Sequence, residues 1–264
     1  MRRPLSRLLR FILRKDRGSI RFTGDYKSWD AAEKDSTGYS APEILEKTRA
    51  AMLKVKAGEA EFERDSVAFD QVQYEFPLLA GLLRAAVAAN GSLNVLDFGG
   101  SLGSTYFQLR KFLAIVKDLH WNVVDQPPQV ACGRKDFATD QLHFYPTVAE
   151  CLSEQKANVL LLSNVIQYLA APYQFLEEIS QLKIPSVVVE RVPFSKSGRD
   201  RLTVQHVPSS IYNASYPAWF LSEPALRAIL EKNYELICEY PAGEAFRLEE
   251  GEVIFKGFQY QLKS

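Results

Sequence analysis

The chain has 264 residues, of which 47% are apolar and 24% charged. Those fractions exclude a disordered polymer and a coiled coil, and the length suits one large domain with an appendage. Lys plus Arg and Asp plus Glu both number 32, so the formal charge is zero and a whole-domain electrostatic grip on nucleic acid is not expected.

The zero conceals a division. Residues 1–17 carry seven positive side chains against Asp16 alone, leaving 25 positive and 31 negative residues in the remainder. In this segment Leu5, Leu8, Leu9 and Ile12 recur at i, i+3, i+4 and i+7 between Arg3, Arg7, Arg10 and Arg14, the periodicity of a basic amphipathic helix. Such a segment has three readings: a helix on an anionic membrane surface, touched through residues 1–15, a helix packed on the protein's own body, or a disordered tail. The acidic remainder offers no phosphate-tracking stripe for nucleic acid.

Cys132, Cys151 and Cys238 are odd in number and form no C-x-x-C pair. Neither a disulfide framework nor a metal site is expected of them, and a reducing compartment is. No apolar run approaches the roughly 20 residues of a membrane span, and the basic N-terminus lacks the apolar core of a secretory signal. The expected location is cytoplasmic, with peripheral attachment at the inner membrane face if the basic helix docks there.

Residues 18–40, punctuated by Gly18, Gly24 and Gly38, read as a linker. Residues 41–90 read as a helical lead-in, with Ile44, Leu45, Thr48, Met52 and Val55 at helical spacing. A second helical stretch is expected from about Val67 to Ala89, closed by Asn90-Gly91. In residues 91–264 the apolar runs Leu93 to Phe98, Leu119 to Asp125, Leu142 to Tyr145, Asn158 to Leu162 and Ser186 to Glu190 alternate with helical segments near 103–116, 147–155 and 172–182. Strands apolar on both faces and separated by helices predict an α/β fold with a doubly wound, mostly parallel sheet. A helix near 223–232 and the runs Tyr234 to Tyr240 and Val253 to Leu262 complete seven strands with an antiparallel C-terminal hairpin.

The first of these strands runs into Asp97-Phe98-Gly99-Gly100-Ser101-Leu102-Gly103, and a helix follows. Glycines there permit positive φ and close ligand approach, and the helix N-terminus offers unpaired N–H groups. The second strand ends at Asp125, 22 residues beyond Gly103, where a carboxylate can accept hydrogen bonds from ribose hydroxyls. A dinucleotide pyrophosphate would be repelled by an acid two residues before the first glycine, whereas a ligand bearing an ammonium group suits Asp97.

On Asp97, Gly99 and Gly103 the sequence resembles the class I S-adenosylmethionine (SAM)-dependent methyltransferases, with Ser101 where their middle glycine stands and Gly100 before it. The resemblance covers about residues 74–263. The segments GGSLGSTYF, VVDQP, SNVIQYL, LTVQHVP and YNASYPAWFLSE resemble, more narrowly, methyltransferase-like proteins associated with surface-polysaccharide loci. It implies SAM as cofactor, held by Asp97, Gly99, Gly100, Ser101, Gly103 and Asp125, with Gln126 beside the adenine and Ser163 and Asn164 at the end of the fourth strand. It implies a small polar or glycan acceptor, its methylated atom a sugar hydroxyl.

An oxygen acceptor wants a base. His206, beyond the fifth strand, is the candidate, against a structural histidine; Tyr168 is the candidate pocket residue. Tyr212, Tyr216, Trp219 and Phe220 offer ring faces to a sugar or serve as packing. Two other functions stay open on the residues: a non-catalytic relative used for binding or assembly, and a nucleotide-dependent oxidoreductase or epimerase. The latter lacks the Tyr-x-x-x-Lys pair of short-chain reductases.

Overall fold

The computed structural model describes residues 20–38, 42–209, 211–242, 246–248 and 251–264, so the predicted basic helix 1–17 lies outside the described residues. The expected linker contains a short strand, β1 (Arg21–Thr23), and a helix, α1 (Trp29–Lys34), whose N-cap Ser28 accepts the Ala31 N–H. Both dock: Arg21–Thr23 pair antiparallel with Val204–His206, and Trp29 stacks on Trp219 with ring centroids 6.5 Å apart. Helix α2 (Pro42–Ala57) buries Ile44, Thr48, Ala51, Met52 and Val55.

The expected helix from Val67 is a correction. Residues 62–69 form a hairpin of β2 (Phe62–Arg64) and β3 (Val67–Phe69), and helix α3 spans Phe76–Ala88 with Pro77 in its first turn. Asp65 and Ser66 turn the hairpin with φ of 51° and 66°, and two successive left-handed residues match the twist of the flanking strands. Phe62 stacks on Phe69 at 4.8 Å, so Val67 and Phe69, expected to start the helix, form the second strand of the hairpin instead.

The main sheet follows: β4 (Ser92–Phe98), α4 (Ser104–Leu113), β5 (Asp118–Val124), α5 (Pro127–Asp136), β6 (Leu142–Tyr145), α6 (Val148–Glu154), β7 (Val159–Ser163), a 3-10 turn (Ile166–Tyr168), α7 (Pro172–Ser180) and β8 (Ser186–Ser195). After an excursion through β9 (Arg201–His206) and β10 (Ser215–Phe220) come α8 (Glu223–Leu230), β11 (Tyr234–Pro241), β12 (Phe246–Leu248) and β13 (Gly251–Leu262). The strand order is β11-β13-β8-β7-β4-β5-β6, parallel from β8 to β6, with β13 inserted antiparallel and β12 paired to it. This is the doubly wound α/β sheet the alternation predicts. Val95, Trp121, Val123, Leu161 and Val188 face α2, α3, α4 and α5, while Leu96, Val124, Leu160, Leu162 and Val189 face α6, α7 and α8.

Helix α5 escaped the sequence reading because Pro127 and Pro128 look like a turn; at a helix's first positions proline costs no hydrogen bond. A second, antiparallel sheet orders β1-β9-β10, so the aromatic segment 211–220 contains a strand. No helix among the described residues is long and apolar enough to cross a membrane.

Chain order places the topological switch point of the sheet. From β4 the chain steps to β5 and β6, then returns to the other side of β4 as β7, so the turns after β4 and β7 diverge at the C-terminal edge. The hairpin covers this edge, and Phe62 is 1% exposed at its root. Phe62→Ala is expected to lower stability by about 3 kcal/mol, measured by urea unfolding; a loss below about 1 kcal/mol would mean that the hairpin is not part of the core.

Candidate active site

The turn after β4 takes its shape from what surrounds it. Gly99, Ser101 and Gly103 have φ of 74°, 55° and 84°. A Cβ on Gly99 would lie 2.4 Å from Val165 Cγ2, so the turn after β4 touches the turn after β7 at this one point; one on Gly100 would lie 2.4 Å from Asp97 Oδ2. Ser101 keeps the left-handed conformation that a glycine adopts without strain.

Asp125 holds that conformation. Its Oδ2 accepts the Ser101 N–H at 2.8 Å and its Oδ1 accepts the Gln126 N–H at 2.7 Å. Burial pushes this carboxyl up, and the two amides oppose it. Each carboxylate oxygen retains acceptor capacity for another donor. The structure therefore brings Ser101, Asp125 and the exposed Gln126 together at adjacent strand ends.

Asp97 sits beneath the turn rather than facing outward. It is 1% exposed, its Oδ2 accepts the Trp121 indole N–H at 2.9 Å, and its Oδ1 has no partner among the described residues. Burial pushes its carboxyl up to about 7, against the pull of the indole.

Helix α4 begins at the N-cap Gly103 with no side chain capping its backbone. The hairpin reaches it instead through a side chain: Ser104 Oγ donates to Glu63 Oε2, while Glu63 Oε1 accepts the Ser66 N–H at 2.7 Å. Glu63 is 4% exposed, and burial raises its carboxyl to about 7. No motif marks Glu63, and sequence reasoning missed it.

Across the crevice, Ser163 is paired with Glu190 on β8, and the Asn164 N–H donates to the Glu190 carbonyl at 2.8 Å. Asn164 is itself left-handed, with φ of 53°, and its Oδ1 accepts from Gln167 Nε2 at 2.6 Å. Tyr168 follows on the 3-10 turn; its OH donates to Gln205 Oε1 at 3.0 Å and its ring meets Tyr216 edge-on at 5.4 Å. Gln205 Nε2 in turn donates to the Tyr216 OH at 3.2 Å. Burial raises the Tyr168 phenol well above its ordinary range.

His206 is the next residue on β9, and successive strand residues point to opposite faces. It shares its face with Leu202 and Val204, which pack against Ala32 of α1, and is hydrogen-bonded to Thr23 Oγ1 at 2.8 Å. The structure thus joins Tyr168 to Gln205 and Tyr216 and turns His206 away from them.

Above this edge the hairpin turn contributes charges. Arg64 donates to Glu75 at 2.9 Å, and Arg191, left-handed at φ 56°, lies 3.7 Å from Asp65. The arrangement brings together a glycine turn, an acid with acceptor capacity to spare, a helix start without a side-chain cap and a facing polar wall.

Glu63, Asp97 and Glu190 all have carboxyls raised to about 7 by burial. An unfolded chain releases these protons near about pH 4. The native state binds more protons between those values, so stability is full below about pH 4 and falls as pH rises through about 7. The thermal midpoint of the wild type is expected to drop between pH 5 and pH 8, and Asp97→Asn to drop less; parallel profiles would contradict the burial of a protonated Asp97.

No protein-family model matches the chain, and no curated protein matches it. Among solved structures it is similar to the N-terminal domain of EvdMO1 in the presence of SAH and D-fucose, at 13% identity and TM-score 0.48, over 85% of this chain and 97% of that one. It is also similar to the N-methyltransferase NodS from Bradyrhizobium japonicum WM9 in complex with SAH, at 11% identity and TM-score 0.44, over 83% and 99%. A third is the glycopeptide N-methyltransferase MtfA complexed with SAM, at 13% identity and TM-score 0.42, over 69% and 94%. These likenesses are distant; the strand order establishes the fold.

Proposed function

We propose that this chain is a SAM-dependent methyltransferase whose acceptor is a hydroxyl of a small polar molecule, a sugar of a surface-glycan precursor being the class that fits. The observation that carries the reading is the Asp125–Ser101 contact, a ribose-type acid tied to a left-handed glycine turn at the switch point of a doubly wound sheet.

The donor set suits SAM. Asp125 has acceptor capacity for the ribose hydroxyls, Gln126 lies exposed beside it, and the amides at the start of α4 suit the carboxylate of the methionine portion. The unpartnered Asp97 Oδ1 beneath Gly100 suits its ammonium. A pyrophosphate offers that oxygen no donor, which argues against a nicotinamide cofactor.

Bound SAM supplies a methyl group on a positively charged sulfur. The chain's own contribution is to hold the acceptor in line with it, because orientation alone removes much of the barrier when charge is neutralised in the transition state. In this reading Ser163 and Asn164 border the acceptor side of the crevice. Tyr168, Tyr212 and Tyr216 form an aromatic wall that suits a sugar face, and His206 lies outside that wall. The basic segment 1–15 would hold the chain near an anionic membrane surface, where lipid-linked glycans are presented.

A thermal-shift titration tests the cofactor. SAM or S-adenosylhomocysteine at about 100 times its dissociation constant is expected to add roughly 2.7 kcal/mol, raising the midpoint by about 5–10 °C. NAD and NADP are expected to leave it unchanged. Asp125→Ala is expected to weaken SAM about 10- to 100-fold, the loss of hydrogen bonds to a charged acceptor. A shift with the nicotinamides alone, or full affinity in the variant, would refute the assignment.

A further inference from the structure

Glu190 is a buried acid that the cofactor reading leaves without a task. It is 1% exposed, yet it lies at the C-terminal edge, in register with Ser163 at the end of β7. Asp97, Leu161 and Val188 are paired across β4, β7 and β8, so Glu190, two residues beyond Val188, shares the Asp97 face of the sheet. Two strand spacings separate β8 from β4, roughly 10 Å, a span suited to an acceptor lying beside a nucleoside held at the glycine turn.

Its two oxygens are treated differently. Oε2 accepts the Tyr240 hydroxyl, whereas Oε1 is buried with no hydrogen-bond partner among the described residues. Tyr240 is itself fixed: a Cβ on Gly257, at the irregular step in β13, would lie 2.4 Å from its ring. The charged groups acting on Glu190 are Arg191 on its own strand, Arg64 from the hairpin and Glu75 before α3. A buried carboxyl oxygen left unpaired costs stability and calls for an explanation, and this one lies at the C-terminal edge of the sheet.

We propose that Glu190 is the general base that takes the proton of the acceptor hydroxyl, with Tyr240 as its positioning residue. The proposal rests on the methyltransferase reading. Glu190 Oε1 removes the hydroxyl proton as the acceptor oxygen bonds the methyl carbon. The carbon–sulfur bond breaks, its electron pair stays on sulfur, and the products are a methyl ether, neutral S-adenosylhomocysteine and a protonated Glu190.

The other polar groups of the edge are less suited. Tyr168 spends its OH on Gln205, His206 faces α1, Glu63 uses both oxygens within the hairpin clamp, and Asp97 lies under the turn. Burial raises the Glu190 carboxyl to about 7, opposed by Tyr240 and the two arginines, a value suited to a base at neutral pH.

The test compares wild type, Glu190→Gln and Tyr240→Phe. Each is assayed by calorimetry with S-adenosylhomocysteine, by methyl transfer from radiolabelled SAM to a panel of methyl glycosides, and by infrared difference spectra between pH 5 and pH 8. The amide oxygen introduced by Glu190→Gln can still accept from Tyr240, so folding is preserved. This variant is expected to bind S-adenosylhomocysteine as the wild type does, to lose about 10²- to 10⁴-fold in turnover, and to lack a carboxylic-acid band that disappears through neutral pH in the wild type. Tyr240→Phe is expected to lower turnover about 10-fold with its acid limb moved to higher pH, since the lost hydroxyl had both held and stabilised the carboxylate; a pH profile unchanged from the wild type would overturn the positioning role. Turnover of Glu190→Gln within threefold of the wild type, or an unchanged infrared titration, would overturn the base assignment alone. Binding of S-adenosylhomocysteine without transfer to any glycoside would overturn the hydroxyl base and leave the cofactor reading standing. No binding to the wild type would overturn both.

Discussion

The hydrogen bond from the Ser101 amide to Asp125 organises the edge of this protein. It joins the turn after β4 to the end of β5 and holds a serine in a conformation that a glycine would adopt freely. On the other side of the turn Gly99 has room for nothing larger because Val165, from the turn after β7, fills the space. The two turns flanking the switch point are thus held in fixed relation, one by a carboxylate and one by contact. A ligand entering between them meets groups whose positions are already set, which lowers the ordering cost of binding.

Around that crevice the chain buries carboxyls that would be cheaper to leave in water. Glu63, Asp97 and Glu190 lie on one side of the sheet, each with hydrogen-bond donors that favour ionisation and with a desolvation penalty that opposes it. The balance leaves them near neutrality, so small changes in their surroundings move protons. Acids perturbed by burial and grouped at the C-terminal edge mark a candidate functional region, and here two of them also carry an oxygen without a partner among the described residues.

The alternation of apolar runs and helices, the glycine turn and Asp125 are all legible in the sequence because each is a local pattern. The rest depends on contacts between distant residues. The hairpin has no glycine at its turn, and Phe69 falls into helical spacing with Val72, Phe76 and Leu79 although it belongs to β3. His206 is well placed by chain order, but its facing follows from its pairing with Ser215 and Arg21, which no local pattern announces. Glu190 and Arg191 read from sequence as the end of the fifth strand, either lining an acceptor pocket or forming a surface salt bridge. What distinguishes Glu190 is Tyr240, 50 residues away, and Arg64, from a hairpin that the periodicity had disguised.

The central claim is that SAM lies across the turn Gly99–Gly103 with its ribose on Asp125. A crystal structure of the chain with S-adenosylhomocysteine tests it most directly. The account predicts the ribose hydroxyls on the Asp125 carboxylate, the amino-acid end at the start of α4 and the sulfur on the Ser163 side of the crevice. Ligand bound elsewhere, or a crevice that saturating ligand leaves unchanged and empty, would contradict it.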